Sequence, residues 1–246
     1  MKLIIVGSTG FVATELIRQA LAHPKVTSII ALGRRNASLS TNAESDSHKG
    51  KLKSVICRDF EVYSEDVKAE MAGADACIWT IAVPPSKLKS VTWEEACKIS
   101  RDYAVTAIET IYQSRRENAS SGFRFTYISG SNAERDPSKK PLILGDYCLM
   151  RGEAETRILT CARESNGTVE ACVAKPGIIE DPSRTGILSK MVENVGRTII
   201  GLPKVNVREI SATLLDQTVD SFEKDTLQNE DLVRIGQRVL AAQKLS

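Results

Sequence analysis

The sequence predicts an α/β fold: one parallel sheet, doubly wound, with helices on both faces and a small C-terminal cap. Apolar runs of strand length alternate with helical patterns from residue 2 to about 180. Those runs are continuous instead of alternating apolar with polar, as befits strands covered on both faces. The chain has 246 residues, 42% of them apolar, enough to bury one sizeable core without disulfides or metals. Right-handed crossovers then place ligands at the carboxyl ends of the strands.

The elements follow in order. KLIIVG is a buried-strand run, and FVATELIRQALAHP is a helix with apolar positions at Leu16, Ala20 and Leu21, closed by Pro24. VTSIIALGRR is a second strand, followed by a polar stretch from 36 to 50 that reads as a surface loop. KLKSVICRDF is a third strand, SEDVKAEMAG a short helix capped by Ser64, and DACIWTIAVPP a fourth strand ended by its Pro-Pro pair. A long helix is expected over about 93–117, then the strand FRFTYISGS, a helix over about 146–165, and the strand VEACVAKPGII. From about 180 the alternation stops. TGILSKMVENVGRTIIGLP and VREISATLLDQTVDSF read as two helices of a cap over about 180–222, within a single domain spanning 1–246. Met191, Val192, Val195 and Ile199 have helical spacing and serve equally as an apolar pocket wall or as ordinary packing.

Composition excludes several function classes. The net charge is +2 and no basic run stands out, so nucleic acid is not an expected partner. With two histidines and no C-x-x-C pair, no metal site is expected. The six cysteines read as reduced thiols of a cytoplasmic protein, and no apolar stretch reaches the length that spans a bilayer. The sequons at Asn36, Asn118 and Asn166 are therefore expected to stay unmodified.

VGSTGFVA carries the first functional signal. Gly7 ends a strand and Gly10 opens a helix, so the loop Gly7, Ser8, Thr9, Gly10, Phe11 and Val12 suits a dinucleotide pyrophosphate at a helix N-terminus. This is the Rossmann-like arrangement. The second strand ends in Arg34 and Arg35, where an acidic residue would hold the ribose hydroxyls of NAD. Two guanidinium groups suit a 2′-phosphate, which selects NADP(H) as the expected cofactor.

GSTGFVATELIRQAL, ALGRR, RDFE, SRDY, YISGSNA, YCLMRGEAE and KPGII, in that order over residues 4 to about 180, resemble the short-chain dehydrogenase/reductase superfamily. Within it the chain looks most similar to atypical, compact NADP-binding members of the Tat-interacting-protein-like group. The resemblance implies roles. Asp59 and Phe60 would lie at the adenine. Thr80, Ile81 and Ala82 would pass under the adenosine ribose and pyrophosphate, and Pro176, Gly177 and Ile178 would line the nicotinamide. Tyr147 matches the catalytic tyrosine, and Arg151 stands where the family has lysine. Ser131 matches the carbonyl-polarising serine, with Ser129 as the second candidate. A homodimer through the two long helices is the family default; a monomer is the alternative.

Tyr147 and Arg151 are four residues apart, one helical turn, and so share a face. Arginine supplies charge but cannot give up a proton, so it is a poor relay member. The reading ranked first is an NADP(H)-dependent reductase of a small to medium, fairly apolar carbonyl substrate. A non-redox enzyme using the same cleft is one alternative, and a module that binds NADP(H) without turnover is another. Lys175 either faces the cofactor or lies in solvent, and Cys148, turned away from Tyr147 by helical geometry, is not expected to act as a nucleophile.

Overall fold

The computed structural model describes residues 1–37, 50–117, 122–181 and 201–245. A seven-stranded parallel sheet runs in the order β3-β2-β1-β4-β5-β6-β9. Its strands are β1 (Lys2–Val6), β2 (Ser28–Gly33), β3 (Leu52–Ile56), β4 (Ala76–Trp79), β5 (Phe123–Ile128), β6 (Val169–Lys175) and β9 (Thr226–Gln228). β7 (Ile178–Glu180) and β8 (Lys204–Asn206) form a separate parallel pair. Among the described residues the helices are α1 (Phe11–Ala22), α2 (Glu65–Met71), α3 (Trp93–Cys97), α4 (Tyr103–Glu117), α5 (Gly145–Glu164), α6 (Val207–Val219) and α7 (Asn229–Gln243).

β1 shows why the strands read as continuous apolar runs. Leu3 and Ile5 enter one core with Leu16 of α1, Leu214 of α6 and Ile235 of α7. Ile4 and Val6 enter the other, with Val67 of α2, Ile108 of α4 and Ile158 of α5. Successive side chains point to opposite faces, and both faces are dry. Strand order reverses direction between β1 and β4, opening a crevice at their carboxyl ends.

Local chemistry sets the helix starts. Ser64 accepts from the Val67 amide and begins α2. Thr92 and Glu95 form a reciprocal capping box at α3, as Asn206 and Glu209 do at α6. Arg124 of β5 donates to the Thr218 and Val219 carbonyls and satisfies the end of α6.

Two expectations change. The segment VREISATLLDQTVDSF is helical, but α6 does not cover the open end of the sheet. Ile210, Leu214, Leu215 and Val219 close one of its faces beside α1. The expected long helix over 93–117 is interrupted by a π-helical turn, Lys98–Asp102. The first cap helix, with Met191, Val192, Val195 and Ile199, lies outside the described residues, as does Asn118.

The helix α5 meets the loop after β5 without clearance. The Glu134 amide donates to the Cys148 carbonyl at 3.0 Å, and a Cβ on Gly152 would lie 1.8 Å from the Glu134 carbonyl oxygen. Gly152→Ala is therefore expected to destabilise the fold by about 3 kcal/mol through forced separation of helix and loop. Urea denaturation measures it, and a wild-type midpoint would show that the loop yields freely.

Candidate active site

The glycine loop stands at the mouth of the crevice. Gly7 has φ +85°, which strains any residue with a side chain, and a Cβ there would lie 2.5 Å from Thr80 Oγ1. The Gly7 amide donates to the Leu32 carbonyl at 2.8 Å, and Thr80 Oγ1 donates to the Val6 carbonyl at 2.7 Å. The turn is thus wedged between the ends of β2 and β4. Gly10 begins α1 without a side-chain cap, and the first turn carries no acidic residue. Ser8 is buried, and its hydroxyl has no hydrogen-bond partner among the described residues. An orphaned buried hydroxyl beside an uncapped helix N-terminus fits a pyrophosphate oxygen. Thr9 and Phe11 are exposed and Val12 is half-buried, leaving the loop accessible.

Arg34 and Arg35 are exposed beyond β2, with no ion pair among the described residues. Asp59 is exposed and accepts from the Glu61 amide. Phe60 is buried, with its ring centroid 5.7 Å from that of Trp79 and 5.6 Å from that of Tyr103. Its side chain belongs to that aromatic cluster. Thr80, Ile81 and Ala82 are half-buried along the end of β4. On the far side, Pro176 is buried and its carbonyl accepts from the Ser131 amide at 2.8 Å. The Ile178 amide donates to the Pro203 carbonyl, and the Gly177 amide donates to Asn229 Oδ1 at 2.9 Å. Asn229 also donates to the Lys204 carbonyl. No motif marked Asn229, at the start of α7, as part of this neighbourhood.

Tyr147 and Arg151 do share a face of α5, but their tasks differ. The Tyr147 hydroxyl donates to the Val83 carbonyl at 2.9 Å. Burial pushes its pKa above the usual tyrosine range, outweighing the opposing charge of Arg151. Arg151 is only 3% exposed. Its Nη1 donates to the Ser100 carbonyl at 3.0 Å, its Nη2 to the Ile128 carbonyl at 2.6 Å, and its guanidinium lies 4.9 Å from the Tyr127 ring centroid. Ser100 sits in the π-helical turn. Its carbonyl also accepts from the Tyr127 hydroxyl, and its Oγ accepts from the Val83 amide. The segment on which Tyr147 docks is therefore tied to the carbonyl that Arg151 grips. Burial pushes the neighbouring Cys148 thiol above the usual cysteine range, against the opposing charge of Lys175.

The two serines separate clearly. Ser129 is buried and its hydroxyl donates to the Glu155 carboxylate. Ser131 is half-buried, and its hydroxyl has no hydrogen-bond partner among the described residues. Lys175 is buried and donates to the Ala133 carbonyl at 2.7 Å and to Glu155 at 3.3 Å. A groove of about 410 Å3 beside Ser131 is lined by Asn132, Glu134, Pro141, Leu142 and Ile143. A larger hollow of about 1180 Å3 lies elsewhere, along α2 and the outer sides of α4 and α5, and holds none of these groups. Among the described residues no helix is long and apolar enough to cross a membrane, and no cluster of metal-binding side chains occurs. All six cysteines are free thiols.

No family model matches the chain. Protein FMP52, mitochondrial, of Candida albicans is 23% identical over 198 residues, covering 80% of this chain and 76% of the relative. Solved structures with the same fold include MoeE5 in complex with UDP-glucuronic acid and NAD, with a TM-score of 0.68 at 13% identity, covering 93% of this chain and 75% of that one. DesIV, a dTDP-glucose 4,6-dehydratase from Streptomyces venezuelae with NAD bound, matches with a TM-score of 0.66 at 14% identity, over 98% and 81% of the chains. Vestitone reductase from alfalfa matches with a TM-score of 0.64 at 17% identity, over 92% and 75%. The architecture is thus the Rossmann-like α/β fold of these dehydratases and reductases.

A lysine at position 151 would replace the rigid fork, whose two nitrogens reach the Ser100 and Ile128 carbonyls, by a single ammonium on a flexible stem. Arg151→Lys is expected to cost about 2 kcal/mol by leaving a buried carbonyl short of a donor. Equilibrium denaturation reads the loss, and unchanged stability would mean that the guanidinium contacts are dispensable.

Proposed function

We propose that the protein is an NADP(H)-dependent oxidoreductase of the short-chain dehydrogenase/reductase type, reducing the carbonyl of a small to medium organic substrate. The sequence motifs resemble those of the compact, NADP-binding members of that superfamily. The observation that carries the reading is the 2.9 Å bond from the Tyr147 hydroxyl to the Val83 carbonyl. Val83 lies three residues beyond Thr80, the residue against which Gly7 is wedged. A proton donor and a dinucleotide cradle therefore share one crevice.

A nicotinamide dinucleotide bound there supplies a hydride to a carbonyl carbon. Gly7 to Val12 would hold its pyrophosphate, with Thr80 to Ala82 beneath it, Arg34 and Arg35 its 2′-phosphate, Asp59 and Phe60 its adenine, and Pro176 to Ile178 its nicotinamide. Tyr147 gives its proton to the carbonyl oxygen as negative charge develops, and Ser131 donates a hydrogen bond to the same oxygen. Arg151 fixes the chain around the phenol and contributes a permanent positive charge. It takes no part in proton relay, so Tyr147 recovers its proton from water.

The same Arg151 contacts favour a second reading, a module that binds NADP(H) without turnover. Both terminal nitrogens of that cation serve the backbone. In either case residues 1–246 act as one dinucleotide-binding unit. Free thiols fit a reducing compartment such as the cytoplasm.

Calorimetry is expected to show NADPH binding at least about tenfold tighter than NADH, with Arg34→Ala and Arg35→Ala removing most of the difference. Absence of binding for both nucleotides would refute both readings. NADPH oxidation with a panel of carbonyl compounds separates them: turnover abolished by Tyr147→Phe supports the reductase, and binding without turnover supports the module. Because the phenol holds its proton above the usual tyrosine range, the reductive rate should persist from neutral pH to beyond pH 9. The reverse reaction, which needs phenolate, should rise throughout that interval. Equal pH profiles in the two directions would assign the proton to another group.

A further inference from the structure

Glu155 lies one turn beyond Arg151 on the same face of α5 and is completely buried. A buried carboxylate needs compensation from several donors. Glu155 has three, all remote in sequence. The Ser129 hydroxyl donates to its Oε1, Arg135 Nε donates to its Oε2 at 2.7 Å, and Lys175 Nζ reaches the same Oε2 at 3.3 Å. Those donors come from three places: the residue after β5, the loop leading to α5, and the last residue of β6. Two further bonds extend the arrangement. Lys175 donates to the Ala133 carbonyl, and Arg135 Nη2 donates to Thr226 Oγ1 of β9 at 3.0 Å.

The enclosed segment runs from Ser129 to Arg135 and contains Ser131. It is held at its start by Ser129, at Ala133 by Lys175 and at its end by Arg135, and both cations share one carboxylate. Ser129 directs its hydroxyl proton at a buried carboxylate, a stronger acceptor than the neutral carbonyl that Tyr147 faces. Ser131 stands between the anchored points, with its amide on the Pro176 carbonyl.

We propose that Glu155 is a positioning residue. It clamps the 129–135 loop through Ser129, Arg135 and Lys175, so that Ser131 presents its hydroxyl to the reacting carbonyl, while Ser129 is a member of the clamp. The inference rests on the reductase reading for its catalytic half and on the described geometry for its structural half.

Glu155→Gln keeps the shape, removes the charge and weakens the acceptor facing two cations. Amide hydrogen exchange should become at least tenfold faster over 129–136, with exchange over 7–13 unchanged and the dissociation constant for NADPH within twofold of wild type. With a reducible aromatic aldehyde as probe, kcat should fall at least tenfold while KM moves less than threefold, since the loss concerns the transition state. Glu155→Asp, which keeps the charge, should recover part of kcat. A purely structural role would instead raise exchange with kcat intact, overturning the positioning claim. Exchange over 129–136 that stays at the wild-type rate would overturn the clamp itself. If wild type shows no turnover, the reductase reading fails, and the exchange comparison alone judges the clamp. If Glu155→Gln does not fold, Arg135→Gln removes a tie whose side chain is 35% exposed, and should accelerate exchange over the same segment.

Discussion

A guanidinium removed from water is tolerable only when its donors are met, and the site is organised around meeting those of Arg151. Its partners are backbone carbonyls, from the π-helical turn and from the last residue of β5. These are elements whose relative position a cofactor-binding fold has to keep fixed. The Tyr127 hydroxyl converges on the same Ser100 carbonyl, and its ring supplies a face for the cation. From this junction α5 takes its height above the sheet. Tyr147 stands one turn before it, over the crevice, and Glu155 one turn after it, over the ends of β5 and β6. Arginine at this position therefore ties the π-helical turn to the end of β5.

The glycine loop has a complementary logic. Its conformation is fixed by neighbours on both sides, the end of β2 through the Leu32 carbonyl and the end of β4 through Thr80. The uncapped start of α1 and the buried Ser8 hydroxyl are unsatisfied features, tolerated because an anion can satisfy them. Rigid surroundings hold the unmet groups in place, so an anion that met them would have little ordering left to impose.

Much of this fold was legible because strands covered on both faces give unbroken apolar runs and helices give turns of apolar spacing. The glycine loop was legible because only one backbone geometry follows from its place between strand and helix. β9 was not: with three residues and Leu227 as its buried apolar member, it makes no run. The π-helical turn was hidden because side chains on both sides of it keep helical spacing. The helix α6 was recognisable as a helix, but periodicity does not say which surface it covers. Glu155 was missed because a charge on an amphipathic helix reads as solvated, and its burial depends on donors 20 and 26 residues away. Phe60 belongs to an aromatic cluster with Tyr63, Trp79 and Tyr103 that sequence order does not reveal.

Asn229 has a consequence for how the protein is made. It receives the amide of Gly177 and donates to the carbonyl of Lys204, while its neighbour Thr226 receives Arg135. A chain emerging from the ribosome completes the glycine cradle, the phenol and the buried arginine long before it delivers these residues. Until it does, the segment from Pro176 to Ile178 and the loop carrying Ser131 each lack an anchor. The glycine loop is therefore in place early in synthesis, whereas the surroundings of Ser131 and of Pro176 to Ile178 are completed late.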